Sequence, residues 1–134
     1  MQLTLHTDLA LRLLVVLARS DGAPMALPSF SAEHRVSYNH VAKVAQKLVR
    51  HGYLRSVRGR TGGMQLALPS EEIVIGDVIR RMEPTMQLVN CPNCTLNRDC
   101  GLISPLDRAK QAFLDVLDAV TLADAAKSRT MVAA

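Results

Sequence analysis

A chain of 134 residues, 49% of them apolar but only 3% aromatic and none tryptophan, can bury one core and is too short for two catalytic domains. That core must be built from Leu, Val, Ile, Ala and Met, which pack helix on helix, so a mainly α fold with at most a small β-hairpin is expected. No apolar run approaches the roughly 20 residues that cross a bilayer, and no secretory pattern opens the chain, which predicts a soluble, cytoplasmic protein with no membrane partner.

In chain order, Thr7 is the expected cap of a first helix, Asp8 to Arg19, with Leu9, Leu13, Val16 and Leu17 as its apolar stripe; the Asp21–Pro24 stretch stops it. A short helix follows from about Pro28 or Ser29 to just before Val36. Ser37 caps a third helix that runs to His51, and Gly52 supplies its left-handed stop. Leu54–Arg58 and Met64–Leu68 read as two strands around a basic, glycine-rich tip. A fourth helix is expected over Ile73–Met82, ended by Pro84. Residues 85 to 103 have no sustained periodicity and hold all three cysteines. Ser104-Pro105-Leu106-Asp107 then predicts a Ser-capped helix start, and the long helix after it places Leu106, Ala109, Phe113, Val116, Leu117 and Val120 on one face. Such a late amphipathic helix suits pairing with a second copy. Thr121–Asp124 resembles a further cap, and the tail from Ser128 is expected to fray.

The organisation expected from this order is a winged helix-turn-helix over residues 1–84, a cysteine-rich loop over 85–104, and a dimerisation helix with its tail over 105–134. The net charge of +4 matters less than its placement: from His34 to Ser70 there are seven Lys or Arg residues and no Asp or Glu. An acid-free basic run that spans helix, turn, helix and hairpin is suited to double-stranded DNA. The third helix is the reader in this arrangement. Ser37, Tyr38, Asn39 and His40 at its N-terminal end can reach base edges, Lys43, Lys47 and Arg50 can meet phosphates, and Arg58 and Arg60 form the tip of the wing.

Cys91, Cys94 and Cys100 are spaced C-x2-C-x5-C. Thiolates hold zinc and iron–sulfur clusters alike, but structural zinc usually takes four protein ligands and no histidine lies near these three. Three thiolates and one outside ligand suit a four-iron cluster (4Fe-4S) better than a two-iron one, with one corner open to attack. A thioredoxin-like C-x-x-C would need a strand–helix–strand core that this chain lacks. A cluster-free or zinc-bearing winged helix that answers a small molecule or a partner protein is the alternative reading, and neither reading makes the chain an enzyme.

The same motifs carry a resemblance. Met1–Arg12, Val36-Ser37-Tyr38-Asn39-His40-Val41-Ala42-Lys43-Val44, Arg58-Gly59-Arg60-Thr61-Gly62-Gly63-Met64 and Thr121-Leu122-Ala123-Asp124 are similar to the NsrR and IscR family of bacterial iron–sulfur regulators, also called Rrf-type proteins, and closest to its NsrR branch. The resemblance implies a homodimer on an imperfect inverted repeat in promoter DNA, repression relieved by nitric oxide, and a cluster held by three cysteines per subunit. It also implies that Asp8 of the partner subunit is a fourth ligand. Read locally, Asp8 is a first-turn carboxylate paired at i,i+4 with Arg12, and the two roles are compatible. The first cysteine gap here, Pro92-Asn93, is shorter than the family's, and Asp107 is either a further ligand candidate or the first-turn carboxylate of the Ser104 cap.

Overall fold

The computed structural model describes residues 1–129; of the expected frayed tail, residues 130–134 lie outside the described residues. The elements run α1 (Leu5–Ala18), α2 (Leu27–His34), α3 (Tyr38–Arg50), β1 (Leu54–Val57), β2 (Gly63–Leu66), α4 (Ile75–Met82), α5 (Ile103–Asp118) and α6 (Leu122–Ala125), with 3-10 turns at Ser70–Glu72 and Cys91–Asn93. The fold is mainly helical with one two-stranded antiparallel hairpin, as the composition and turn chemistry predict.

The core is one continuous cluster. Leu9, Leu13, Leu14 and Leu17 of α1, Phe30 of α2, Val41, Val44 and Leu48 of α3, and Val78, Ile79 and Met82 of α4 are fully or almost fully withdrawn from water. Ala10 and Leu14, off the Leu9–Leu13–Leu17 stripe, are fully buried too, so α1 is covered on more than one side. Leu122, late in the chain, is also fully buried in this cluster. It is held there by backbone bonds that pair the end of α5 with the entry to α4, Ile75 N–H to the Val120 carbonyl at 2.9 Å and Leu122 N–H to the Ile73 carbonyl at 2.7 Å. The start of α6 is the expected cap, a reciprocal box in which Thr121 accepts from Asp124 N–H and the Asp124 carboxylate accepts from Thr121 N–H.

Three expectations need correction. The cap of α1 is Thr4 and not Thr7, so the helix opens three residues early; Thr7 is fully buried and its hydroxyl donates to Glu83. The cap of α5 is Leu102, with no side-chain bond, and Ser104 lies inside the first turn. The tight turn after Cys100 feeds directly into the helix, with Leu106 N–H on the Leu102 carbonyl at 3.0 Å, so no serine is required to start it. Lastly, the apolar residues of α5 divide between two faces. Phe113, Leu117 and Val120 pack on the core beside buried Leu114, whereas Ala109 and Val116 face water. Leu102, Pro105, Ala109, Ala112, Val116 and Ala119, spaced alternately three and four apart, are all exposed and form an apolar stripe along the helix.

Where α5 crosses α4, Gly76 is buried directly beneath Asp118, and a Cβ at that position would collide with the carboxylate. The close approach lets Asp118 grip Arg80 with two bonds, at 2.6 and 2.7 Å, fixing the long helix against α4.

Candidate functional site

The turn between α2 and α3 is three residues, Arg35 to Ser37. Arg35 adopts the left-handed conformation (φ 54°), and Ser31, itself buried, donates its hydroxyl to the Val36 carbonyl at 2.5 Å while accepting through its own carbonyl from Val36 N–H at 3.1 Å. Ser37 then caps α3, its Oγ accepting from His40 N–H. Val41, Val44, Ala45 and Leu48 anchor the inner face of α3, which leaves Tyr38, Asn39, Lys43, Gln46 and Arg50 exposed. Gln46 was not singled out in the sequence, yet its spacing from Asn39, Lys43 and Arg50 puts it on their face. A glutamine there can bond an adenine edge through both side-chain atoms.

Gly52 (φ +83°) turns the chain out of α3 into the hairpin, where Val57 pairs with Gly63 and the tip carries exposed Arg58 and Arg60. The hairpin is braced from behind. Met25 and Met64 exchange backbone bonds at 2.8 Å, and Arg55 Nε donates to Gln65, which donates in turn to the Gly22 carbonyl. Reading helix and wing are thus two rigid, positively charged projections from one core. Lys47 is placed differently from the other basic residues: half-buried, it donates to the Met82 carbonyl at 3.3 Å and satisfies the end of α4. His51 is held below its ordinary pKa by burial and by Arg81, Lys47 and Arg50, so near neutral pH it adds little charge to this face.

The three cysteines lie in the turns between α4 and α5. Cys91 and Cys100 are half-buried, Cys94 is exposed, and none is in a disulfide. Cys94 N–H reaches the Cys91 carbonyl at 3.0 Å, and the Cys94 sulfur accepts from Leu96 N–H at 3.4 Å. Cys91 opens on a cavity of about 200 Å³ that Leu106, Asp107 and Lys110 also line. Among the described residues no three His, Cys, Asp or Glu side chains converge closely enough to hold a metal ion. The donor set itself, three unbridged thiols within ten residues, matches iron–sulfur ligation. Asp8, in the first turn of α1, is gripped by Arg12 through two bonds, at 2.8 and 2.6 Å.

A family model described as an iron-dependent transcriptional regulator, Rrf2, matches residues 3–128, nearly the whole chain. The chain belongs to the Rrf2 family. It is therefore a DNA-binding transcriptional regulator and not an enzyme, and the winged-helix fold agrees with its solved relatives. Three of these show how far the likeness extends. The oxidized form of Staphylococcus aureus CymR is 30% identical, with a TM-score of 0.79 over 96% of this chain and 98% of that one. CymR (YrzC), the global cysteine regulator of B. subtilis, is 25% identical, with a TM-score of 0.79 over 94% and 96%. IscR of T. potens is also 25% identical, with a TM-score of 0.79 over 100% and 93%. Among the described residues no helix is long and apolar enough to cross a membrane.

Proposed function

We propose that this Rrf2 regulator is a cytoplasmic, homodimeric repressor of the NsrR type, whose binding to an imperfect inverted repeat in promoter DNA is governed by an iron–sulfur cluster on Cys91, Cys94 and Cys100. The observation that carries the reading is the position of three free thiols in the segment that joins the DNA-reading head to α5, in a chain matched over nearly its whole length by an iron-dependent regulator family. The exposed stripe from Leu102 to Ala119 supplies a face for the second copy. Asp8 of the partner subunit is a candidate fourth ligand, and its contact with Arg12 would orient the carboxylate beforehand. Tyr38, Asn39, His40 and Gln46 would read bases, with Lys43, Arg50, Arg58 and Arg60 on phosphates.

A bound cluster would supply an iron corner not held by cysteine, with which a diatomic such as nitric oxide reacts. The protein's part is mechanical: the segment is tied to α4 at one end and to α5 at the other, so a change in its shape shifts the reading heads relative to the dimer axis. Two heads whose spacing must match the DNA are sensitive to a small rotation.

A second reading is favoured by one observation, the 30% identity to a CymR structure in an oxidized form. Here the cysteines would act as thiols, with no cluster. Iron and acid-labile sulfide, measured with the visible spectrum on protein purified without oxygen, separate the two. Near-stoichiometric iron and sulfide, an absorption band bleached by nitric oxide and a parallel loss of DNA binding are expected, with Cys94→Ser abolishing all three. Colourless protein that cannot be reconstituted, yet whose DNA affinity responds to thiol oxidation, would establish the second reading instead.

A further inference from the structure

Behind the reading helix, one carboxylate ties the end of α4 to the start of α1. Glu83, the first residue after α4, accepts from Thr4 N–H at 3.1 Å, from the Thr4 hydroxyl at 2.7 Å and from the Thr7 hydroxyl. It therefore fixes the first turn of α1 from outside the helix. Within that turn lies His6, whose ring stacks on the ring of His40 of α3, with centroids 5.8 Å apart and planes 25° from parallel. One residue before Glu83, the Met82 carbonyl accepts from Lys47 of α3. The last peptide of α4 and the first residue of the cysteine segment are in this way bonded to both α1 and α3.

The backbone of His40 is fixed by the Ser37 cap, but its imidazole makes no side-chain hydrogen bond among the described residues, and its ring neighbour is His6. A ring free to change rotamer must be ordered each time DNA binds, whereas a ring held in a stack has already lost that freedom. We infer that His6, though on a different helix from the reader, is a positioning residue for DNA recognition: it holds the His40 ring in the orientation presented to the base edge, and Glu83 is the clamp that keeps His6 in place. The inference rests on the assignment of His40 to base reading. It also gives the cysteine segment a direct connection to that contact, because the clamp is the residue from which the segment departs.

The test uses full-length protein purified without oxygen and a DNA site selected by that protein from a random pool. Binding is measured to the site and to each single-base variant of one half-site, at several salt concentrations. His6→Ala should reduce discrimination about three- to tenfold, the cost of one unordered side chain, at the base pairs where His40→Ala also acts, with the salt slope unchanged. His6→Phe, which keeps a flat ring, should restore it, and His6→Ala should add nothing to His40→Ala. Glu83→Gln should cause a smaller loss at the same base pairs. If His40→Ala loses discrimination and His6→Ala does not, or if the losses from His6→Ala spread evenly over the site, or if His6→Phe fails to rescue, the positioning role is wrong and the reading assignment survives. Full discrimination by His40→Ala would overturn the reading assignment and the inference with it.

Discussion

In the reading head, α1, α2, α3, β1 and α4 each commit at least one side chain fully or almost fully to the core, while between Glu83 and Gly101 no residue is buried, and Leu88, Val89 and Leu96 are exposed. The head is shaped by its own apolar packing; the cysteine segment is shaped by short turns. A stretch of this length without a core is uncommon in a small domain unless it has a function, and the contrast sets a well-packed head beside a segment that packing holds far less firmly. Rigidity is needed where base edges are read, and compliance where a signal must change a shape.

The widest separation between the two regions should appear in stability. Phe30→Ala, at a fully buried position, is expected to cost about 3–5 kcal/mol in urea unfolding, whereas Leu96→Ala, at a position 60% exposed, should stay within about 0.5 kcal/mol. Similar losses for both would mean that the segment is packed after all. The junction of the regions is tested next. Val116→Asp places a carboxylate in the apolar stripe of α5 and should weaken dimerisation about a hundredfold by sedimentation while leaving the monomer folded; an unchanged dimer would move the interface elsewhere.

Gly76→Ala probes the crossing of α4 and α5. The added methyl displaces Asp118 from Arg80, for an expected loss of about 1–3 kcal/mol, and a stabilised variant would show that the carboxylate moves aside freely. The smallest effect concerns acid. Burial raises the pKa of Glu83, but the bonds from Thr7 and Thr4 and the nearby His6 outweigh it and leave the carboxyl below its ordinary 4.5. A lowered carboxyl pKa stabilises the fold fully above the unfolded value and loses that contribution as pH falls through the folded one. Glu83→Gln should therefore flatten the acid side of the stability profile below about pH 4.5. Identical profiles for the two proteins would show that the three bonds to Glu83 do not persist in solution.

Comparison of individual elements shows what local chemistry can and cannot decide. The Ser37 cap, the Gly52 stop, the hairpin with its basic tip, the Asp8–Arg12 pair and the Thr121–Asp124 box were all legible in the sequence, because each depends on residues within a few positions of one another. Gln46 was also within reach, through its spacing from Lys43 and Arg50. The start of α1 was not. Thr4 and Thr7 are both competent caps, and the choice falls to Glu83, 79 residues from Thr4. Nor could periodicity divide the apolar residues of α5 between a face for the core and a face for water, or show that Lys47, in line with Lys43 and Arg50, ends at the Met82 carbonyl.

The sequence by itself determined the helices, the wing, the concentration of positive charge and the clustering of three cysteines, since these follow from backbone preference, side-chain type and near-neighbour spacing. Only the tertiary structure decided where α1 begins, which side of α5 is left open, that Leu122 completes the core of the head, and that His6 lies against His40. The physical reason is the same in each case: the deciding partner is remote in the chain, and its approach is set by how the whole core packs rather than by any preference of the segment it meets.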